Sequence, residues 1–204
     1  MSSRCKLEYM KRLYCAGLTY LVETGVLYVH FALISVCDKS FGVAYAVYYP
    51  MEFIFLMITA LADGGISEAL KRNNEDEKCT AIWASLISGT TVLVGFLLSK
   101  GMFSDSLSVD PIVAESYNYV IIWYTIEYLH ITACKYYHYS NDYKYASRTE
   151  IRYYTLDTII LAVTVFLTRD WKLALLSLIV TSGIQLLYIW CKIPKRVTSF
   201  NPLN

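Results

Sequence analysis

Charge is scarce in this chain of 204 residues. Lys, Arg, Asp and Glu make up 17% of it, where an average soluble domain carries about a quarter. Eighteen basic residues stand against seventeen acidic ones, for a net charge of +1. There is no global basic field of the kind that holds nucleic acid. The six cysteines, at positions 5, 15, 37, 79, 134 and 191, include no C-x-x-C pair. A P-loop, an H-E-x-x-H, a G-x-S-x-G and a Gly-rich dinucleotide turn are all missing. No polar stretch is long enough to fold as a soluble domain. These absences argue against an enzyme, a nucleic-acid binder, a resident cofactor or metal, and a disulfide scaffold.

What is present is apolar surface. Hydrophobic residues make up 56% of the chain, mean hydropathy is +0.40, and there are 19 Tyr. Tyr suits membrane interfaces because its ring is apolar and its tip polar. A helix needs about 20 apolar residues to cross a bilayer core. Six stretches qualify: Leu13 to Val36, Phe41 to Ala62, Thr80 to Ser99, Pro111 to Cys134, Tyr153 to Thr168, and Leu173 to Cys191. The fifth is short unless it begins nearer Ser147 and carries Arg152 at the boundary. The first follows basic residues, as in a signal peptide. It runs on without an A-x-A-like end, so we expect a retained helix.

Lys and Arg set the expected orientation. With the N-terminus inside, the inner segments hold fourteen: Arg4, Lys6, Lys11, Arg12, Lys71, Arg72, Lys78, Lys135, Lys144, Arg148, Arg152, Lys192, Lys195 and Arg196. The outer segments hold four: Lys39, Lys100, Arg169 and Lys172. On that topology only Cys37 lies near the outer side. The expectation is an all-α integral membrane bundle, residues 1–204 as one six-helix domain, in the plasma (inner) membrane with both termini cytoplasmic. The inner loops KRNNEDEK, Lys71 to Lys78, and YSNDYKYASR, ending at Arg148, are charged or Tyr-rich and short.

Ionisable residues interrupt these stretches. One at mid-bilayer costs about 2.5–3.5 kcal/mol on insertion scales, so each needs a partner or a task. Glu23 and His30 are seven residues apart and share a helix face. Glu127, His130, Cys134 and His138 form one stripe at steps of three, four and four. Three adjacent members have the ligand types of a soft metal site, but the first and last lie too far apart along the axis to share one ion. A cleft-lining role for Glu127 is the stronger reading. Glu52 follows Pro50 in the second stretch, Asp63 lies near its inner end, and Asp157 lies in the fifth. Tyr48, Tyr49, Tyr124 and Tyr128 offer an aromatic wall for an organic cation. For most Tyr an interfacial belt is the plainer expectation. Asp110 and Glu115 read as helix-start residues that favour the helix dipole.

The stretch LADGGISEALKRNNEDEKCTAI resembles the multidrug and toxic compound extrusion (MATE) family after its second helix, with Gly64, Asn73, Asn74 and Glu77 on the pattern. The family's loop glycine is replaced here by Arg72 or Asn73. FGVAYAVYYP resembles the opening of the family's second helix, and DPIVAESYNYVIIW that of its fourth. YSNDYKYASRTEI resembles the following loop, again without its glycine, and LALLSLIVTSGIQLLYIW the last helix of the lobe. The likeness covers nearly the whole chain through individually weak motifs.

The resemblance implies a single lobe of a transporter that normally has two six-helix lobes in the same orientation. A parallel two-fold dimer with a second copy, or with a related six-helix chain, would complete it. It implies export of organic cations or amphiphiles by proton- or sodium-coupled antiport. The site would be Glu23, His30, Glu52, Glu127, His130 and Asp157, with Tyr48, Tyr124 and Tyr128 as the aromatic wall. The family often carries an acid in its first helix. LVETGV puts Glu23 there by local letters, while counting back from the second helix puts His30 there. The family often has Asn where Asp157 stands. The alternatives are a non-transporting membrane subunit or scaffold, or half of a lipid-precursor flippase. In the plainer case Glu23 is protonated and bonded inside the bundle, and His30 sits near the outer interface.

Overall fold

In the computed structural model the chain is described over residues 3–44, 46–50, 77–102, 110–139 and 143–193. For some residues within these stretches, Glu23 and His138 among them, only the backbone is described. The described residues are helical, with no strand among them. The helices among the described residues are α1 (Ser3–Ile34), α2 (41–44 and 46–50), α3 (Glu77–Met102), α4 (Pro111–Tyr139), α5 (Tyr143–Thr168) and α6 (Trp171–Lys192).

Local chemistry fixes several of the turns. Asp110 accepts a hydrogen bond from the Ile112 amide at 2.8 Å, and Pro111 takes the first helical position of α4, where its missing N–H is no loss. Asp170 caps α6 by accepting from the Lys172 and Leu173 amides. Between α5 and α6 only Arg169 and Asp170 intervene, and Arg169 adopts a left-handed φ of 55° to close the turn. So short a turn forces α5 and α6 to run antiparallel.

Helix α4 is the hub. It packs on α3, α5 and α6, while α5 also packs on α6 and α1. Residues 41–50 join through side chains: Phe41 meets Trp171 with ring centroids 5.5 Å apart, and the Tyr48 hydroxyl donates to the Val113 carbonyl.

Among the described residues three helices are long and apolar enough to cross a membrane, over Ala81–Leu98, Lys144–Thr168 and Trp171–Lys192. They are compatible with an integral membrane protein. Their outward faces are apolar: Leu98 is 73% exposed, Leu167 79% and Ile184 63%. Ser85, Ser88, Asp157, Ser182 and Gln185 of these helices sit inside.

The helices overrun the expected stretches. Helix α5 begins at Tyr143, one turn before Ser147. Tyr145 holds that first turn by packing its ring against Tyr137 of α4, centroids 4.5 Å apart, and Ala146 is fully buried there. Helix α1 carries its polar start back to Ser3. The second expected span is described only to residue 50. Glu52, Asp63 and the segment from Gly64 to Asn74 lie outside the described residues.

Candidate functional site: a buried polar layer

Two apolar clusters fill the bundle. One occupies the end that carries the 169–170 turn and includes Phe31, Phe96, Tyr117, Leu161 and Leu175. The other occupies the opposite end and includes Ala81, Ala133, Tyr137, Ala146 and Ile189. Between them the long helices contribute buried polar side chains: Ser85 and Ser88 from α3, Glu127 and His130 from α4, Asp157 from α5, Ser182 and Gln185 from α6. Helix α1 adds His30.

Asp157 is the centre of this layer and is 1% exposed. The Ser182 hydroxyl donates to its Oδ2 at 2.8 Å, and the Gln185 amide donates to its Oδ1 at 3.0 Å. Gln185 also donates to the Tyr153 carbonyl at 3.4 Å. The hairpin explains the meeting. Twelve positions separate Asp157 from Arg169, and twelve separate Asp170 from Ser182. Both residues therefore lie about 18 Å from the turn at 1.5 Å per residue.

His30 Nε2 lies 2.9 Å from the Thr158 hydroxyl, which itself donates to the Tyr154 carbonyl at 2.8 Å. The hydroxyl proton is thus engaged, so Nε2–H is the donor and Nδ1 is the bare acceptor of a neutral ring. Nδ1 is buried without a hydrogen-bond partner, as is Trp123 Nε1, and the two rings lie 5.5 Å apart between centroids.

His130 stacks on Tyr153 with centroids 3.9 Å apart and planes tilted by 20°. The Cys134 thiol lies one turn further, 3.7 Å from His130 Nδ1. Glu127, 3% exposed, sits one turn to the other side. Glu127 and Asp157 are both near enough to Tyr153 to act on it electrostatically. Among the described residues no group of three or more His, Cys, Asp or Glu side chains is arranged to hold a metal ion.

Four of the ionisable residues singled out by sequence, His30, Glu127, His130 and Asp157, are thus brought into one layer inside a single chain. Glu23 belongs to α1, but its side chain lies outside the description, as does that of His138. Tyr48, Tyr124 and Tyr128 belong to the apolar cluster at the turn end, while Tyr49 is 39% exposed. Asp110 caps α4, and Glu115 forms an ion pair with Lys172 near the same end.

Sequence reasoning missed Ser182, Gln185, Thr158 and Tyr153. Ser182 could have been found by counting equal distances outward from the 169–170 turn, and Gln185 lies one turn beyond it on the same face. Tyr153 offered no signal, since a belt tyrosine and a ring under a histidine look alike in sequence.

Comparison with protein-family models, curated proteins and solved structures finds no match for the chain. What the layer can do follows from its own chemistry. It holds two carboxyl groups and two imidazoles away from water, so proton or cation binding there changes charge inside an apolar surround.

Proposed function

We propose that the chain is a small secondary transporter of the membrane: six spans, both termini on the cytoplasmic side, MATE-like, and half-size. The observation that carries this reading is Asp157. It is a carboxyl group deep in the bundle that is held by two neutral donors and, among the described residues, forms no ion pair with Lys or Arg. A structural acid in an apolar helix is normally paired with a cation, whereas an acid left for a mobile proton or cation marks an ion path.

In the proposed cycle Asp157 takes up a proton or Na⁺ from one side and releases it to the other. Ser182 and Gln185 satisfy the oxygens of the charged form. Neutralisation weakens those bonds and loosens α6 against α5, so the loaded and empty forms favour different packings. His30 and His130 are the relay groups within the layer. Organic cations or amphiphiles are the cargo that the sequence resemblance suggests, and a second copy in parallel orientation supplies the other wall of the cargo path.

The test is transport of ethidium in proteoliposomes under an imposed pH or Na⁺ gradient. Asp157→Asn keeps the shape and can still accept from Gln185, with the Ser182 hydroxyl turned to accept from the new amide, but cannot change charge. Gradient-driven transport should fall at least about ten-fold, as for loss of an essential proton-carrying group, with the thermal midpoint unchanged. Wild-type rates in that variant would sink the reading.

A second reading has its own support. His30, Glu127, His130 and Asp157 are each at most 3% exposed inside one protomer, which suits a static bonded layer in a non-transporting membrane subunit. In that case no gradient drives flux through the wild-type protein, and Asp157→Asn is silent or stabilising.

A further inference from the structure

At the end of the hairpin remote from its turn, α5 and α6 place positive charge together. The Arg152 guanidinium lies over the Tyr188 ring, 4.6 Å from its centroid, and the Lys192 ammonium lies 5.6 Å from the same centroid. Arg148 precedes Arg152 by one turn and shares its face. All three cations are exposed, and Tyr188 is 41% exposed. Among the described residues none of the three cations forms an ion pair. Two cations converging on one ring repel each other, so the arrangement suits an anion between them.

What lies beside the cations narrows the anion. From Arg152 the same face of α5 continues through Leu156, Ile159 and Val163, all exposed. From Tyr188 the matching face of α6 continues through Ile184, Val180 and Leu176, also exposed. Each helix thus carries a stripe with cations at one end and apolar side chains along the rest. Arg152 is seventeen positions from Arg169, and Tyr188 eighteen from Asp170. That is about 26 Å along the axis, close to the thickness of a bilayer core, roughly 30 Å. If the turn marks one membrane boundary, the cations mark the other.

We propose that Arg148, Arg152, Tyr188 and Lys192 form a binding site for the headgroup of an anionic phospholipid, whose acyl chains lie along the apolar stripes of α5 and α6. The site rests on the membrane placement proposed above, but not on transport. The phosphate sits between Arg152 and Lys192, where it relieves their repulsion, and Arg148 extends the positive surface by one turn. Arg supplies paired donors that match phosphate oxygens, and Tyr188 fixes the spacing of the two cations through its ring.

The experiment is native mass spectrometry of the full chain released from phosphatidylcholine nanodiscs doped with phosphatidylglycerol. The wild type should retain phosphatidylglycerol in preference to phosphatidylcholine. Retention should fall about five-fold for each cation removed in Arg152→Gln and Lys192→Gln, and should not change in Arg169→Gln at the other end. Equal retention of the two lipids by the wild type overturns the site whether or not any variant folds. Displacement of the lipid by millimolar inorganic phosphate also overturns it, since the anion is then not membrane-anchored. A protein that enters phosphatidylcholine nanodiscs without this preference loses the site alone. One that does not enter them loses the membrane placement as well.

Discussion

The aromatic end of the bundle and the polar layer beneath it are built on the same helices and obey opposite rules. At the aromatic end two buried tyrosine tips have fixed backbone partners, while Trp123 Nε1 is enclosed by rings without a hydrogen bond. The Tyr48 hydroxyl donates to the Val113 carbonyl and meets Ser116, and the Tyr117 hydroxyl donates to the Phe96 carbonyl at 2.6 Å. Rings fill the remaining space, with Phe96 meeting both Tyr117 and Tyr124. Nothing there changes charge at ordinary pH. In the polar layer side chains bond to side chains across helices, Ser182 and Gln185 to Asp157 and His30 to Thr158. A layer of that kind stabilises less than the rings it displaces. A role beyond stability is the simplest reason for it.

The largest expected effect probes the aromatic side of this contrast. Phe96→Ala removes a fully buried ring of α3 that packs on Tyr117 and Tyr124 of α4. In lipid the transfer contribution shrinks, because the tails are as apolar as the core, and the cavity contribution remains. A void of roughly 100 Å³ at about 24 cal/mol per Å³ gives about 2–3 kcal/mol of lost stability. Unfolding in mixed micelles should show that loss, while any gradient-driven flux per folded molecule stays at the wild-type value. A selective loss of flux without a loss of stability would erase the distinction between the two regions.

A smaller effect tests how tightly the polar layer is closed. Ser85 of α3 donates to the Leu129 carbonyl of α4 at 2.5 Å. One turn later Gly89 faces the Leu129 side chain, and a Cβ at that position would overlap it. Gly89→Ala must push α3 from α4 or turn Leu129 out of its rotamer. The expected loss is about 1.5 kcal/mol, within the range for overpacking. Gly25→Ala on α1, where a Cβ meets nothing, should be neutral or gain a few tenths of a kcal/mol through helix propensity. Equal effects at the two glycines would mean that α3 and α4 are not in close contact at this depth.

Much of the architecture was legible because apolar length is a strong signal. The stretches Thr80 to Ser99 and Leu173 to Cys191 fall inside α3 and α6. The ionisable residues of the layer were legible for the opposite reason, since His30, Glu127, His130 and Asp157 stand out against apolar neighbours. Their partners were not. Ser182 and Thr158 are ordinary in an apolar helix, and only the register between helices gives them a role. The tyrosines misled most. A belt position is the plainer expectation for most of them, yet Tyr48, Tyr117, Tyr124, Tyr153 and Tyr154 are each at most 2% exposed. Composition reports that a ring can sit at an interface. It does not report that a carbonyl such as that of Phe96 lies within reach of the hydroxyl and lets the ring go inside.

The smallest effect separates a tie from a relay. His30 and Thr158 join α1 to α5 by one hydrogen bond. Thr158→Val keeps the volume and removes the acceptor, leaving both ring nitrogens of His30 without a partner. Side-chain hydrogen bonds between membrane helices average about 0.6 kcal/mol, so the loss should be near that value and below about 1 kcal/mol. His30→Phe should cost about the same, and the double variant no more than either single one, because the two side chains share one bond. If the pair is only a tie, the stability cycle accounts for everything and flux is unchanged in all three variants. If His30 also carries protons, His30→Phe slows gradient-driven flux while Thr158→Val, at matched stability, does not. The difference in flux between two variants of equal stability is therefore the measurement that assigns His30 to one region of the molecule or the other.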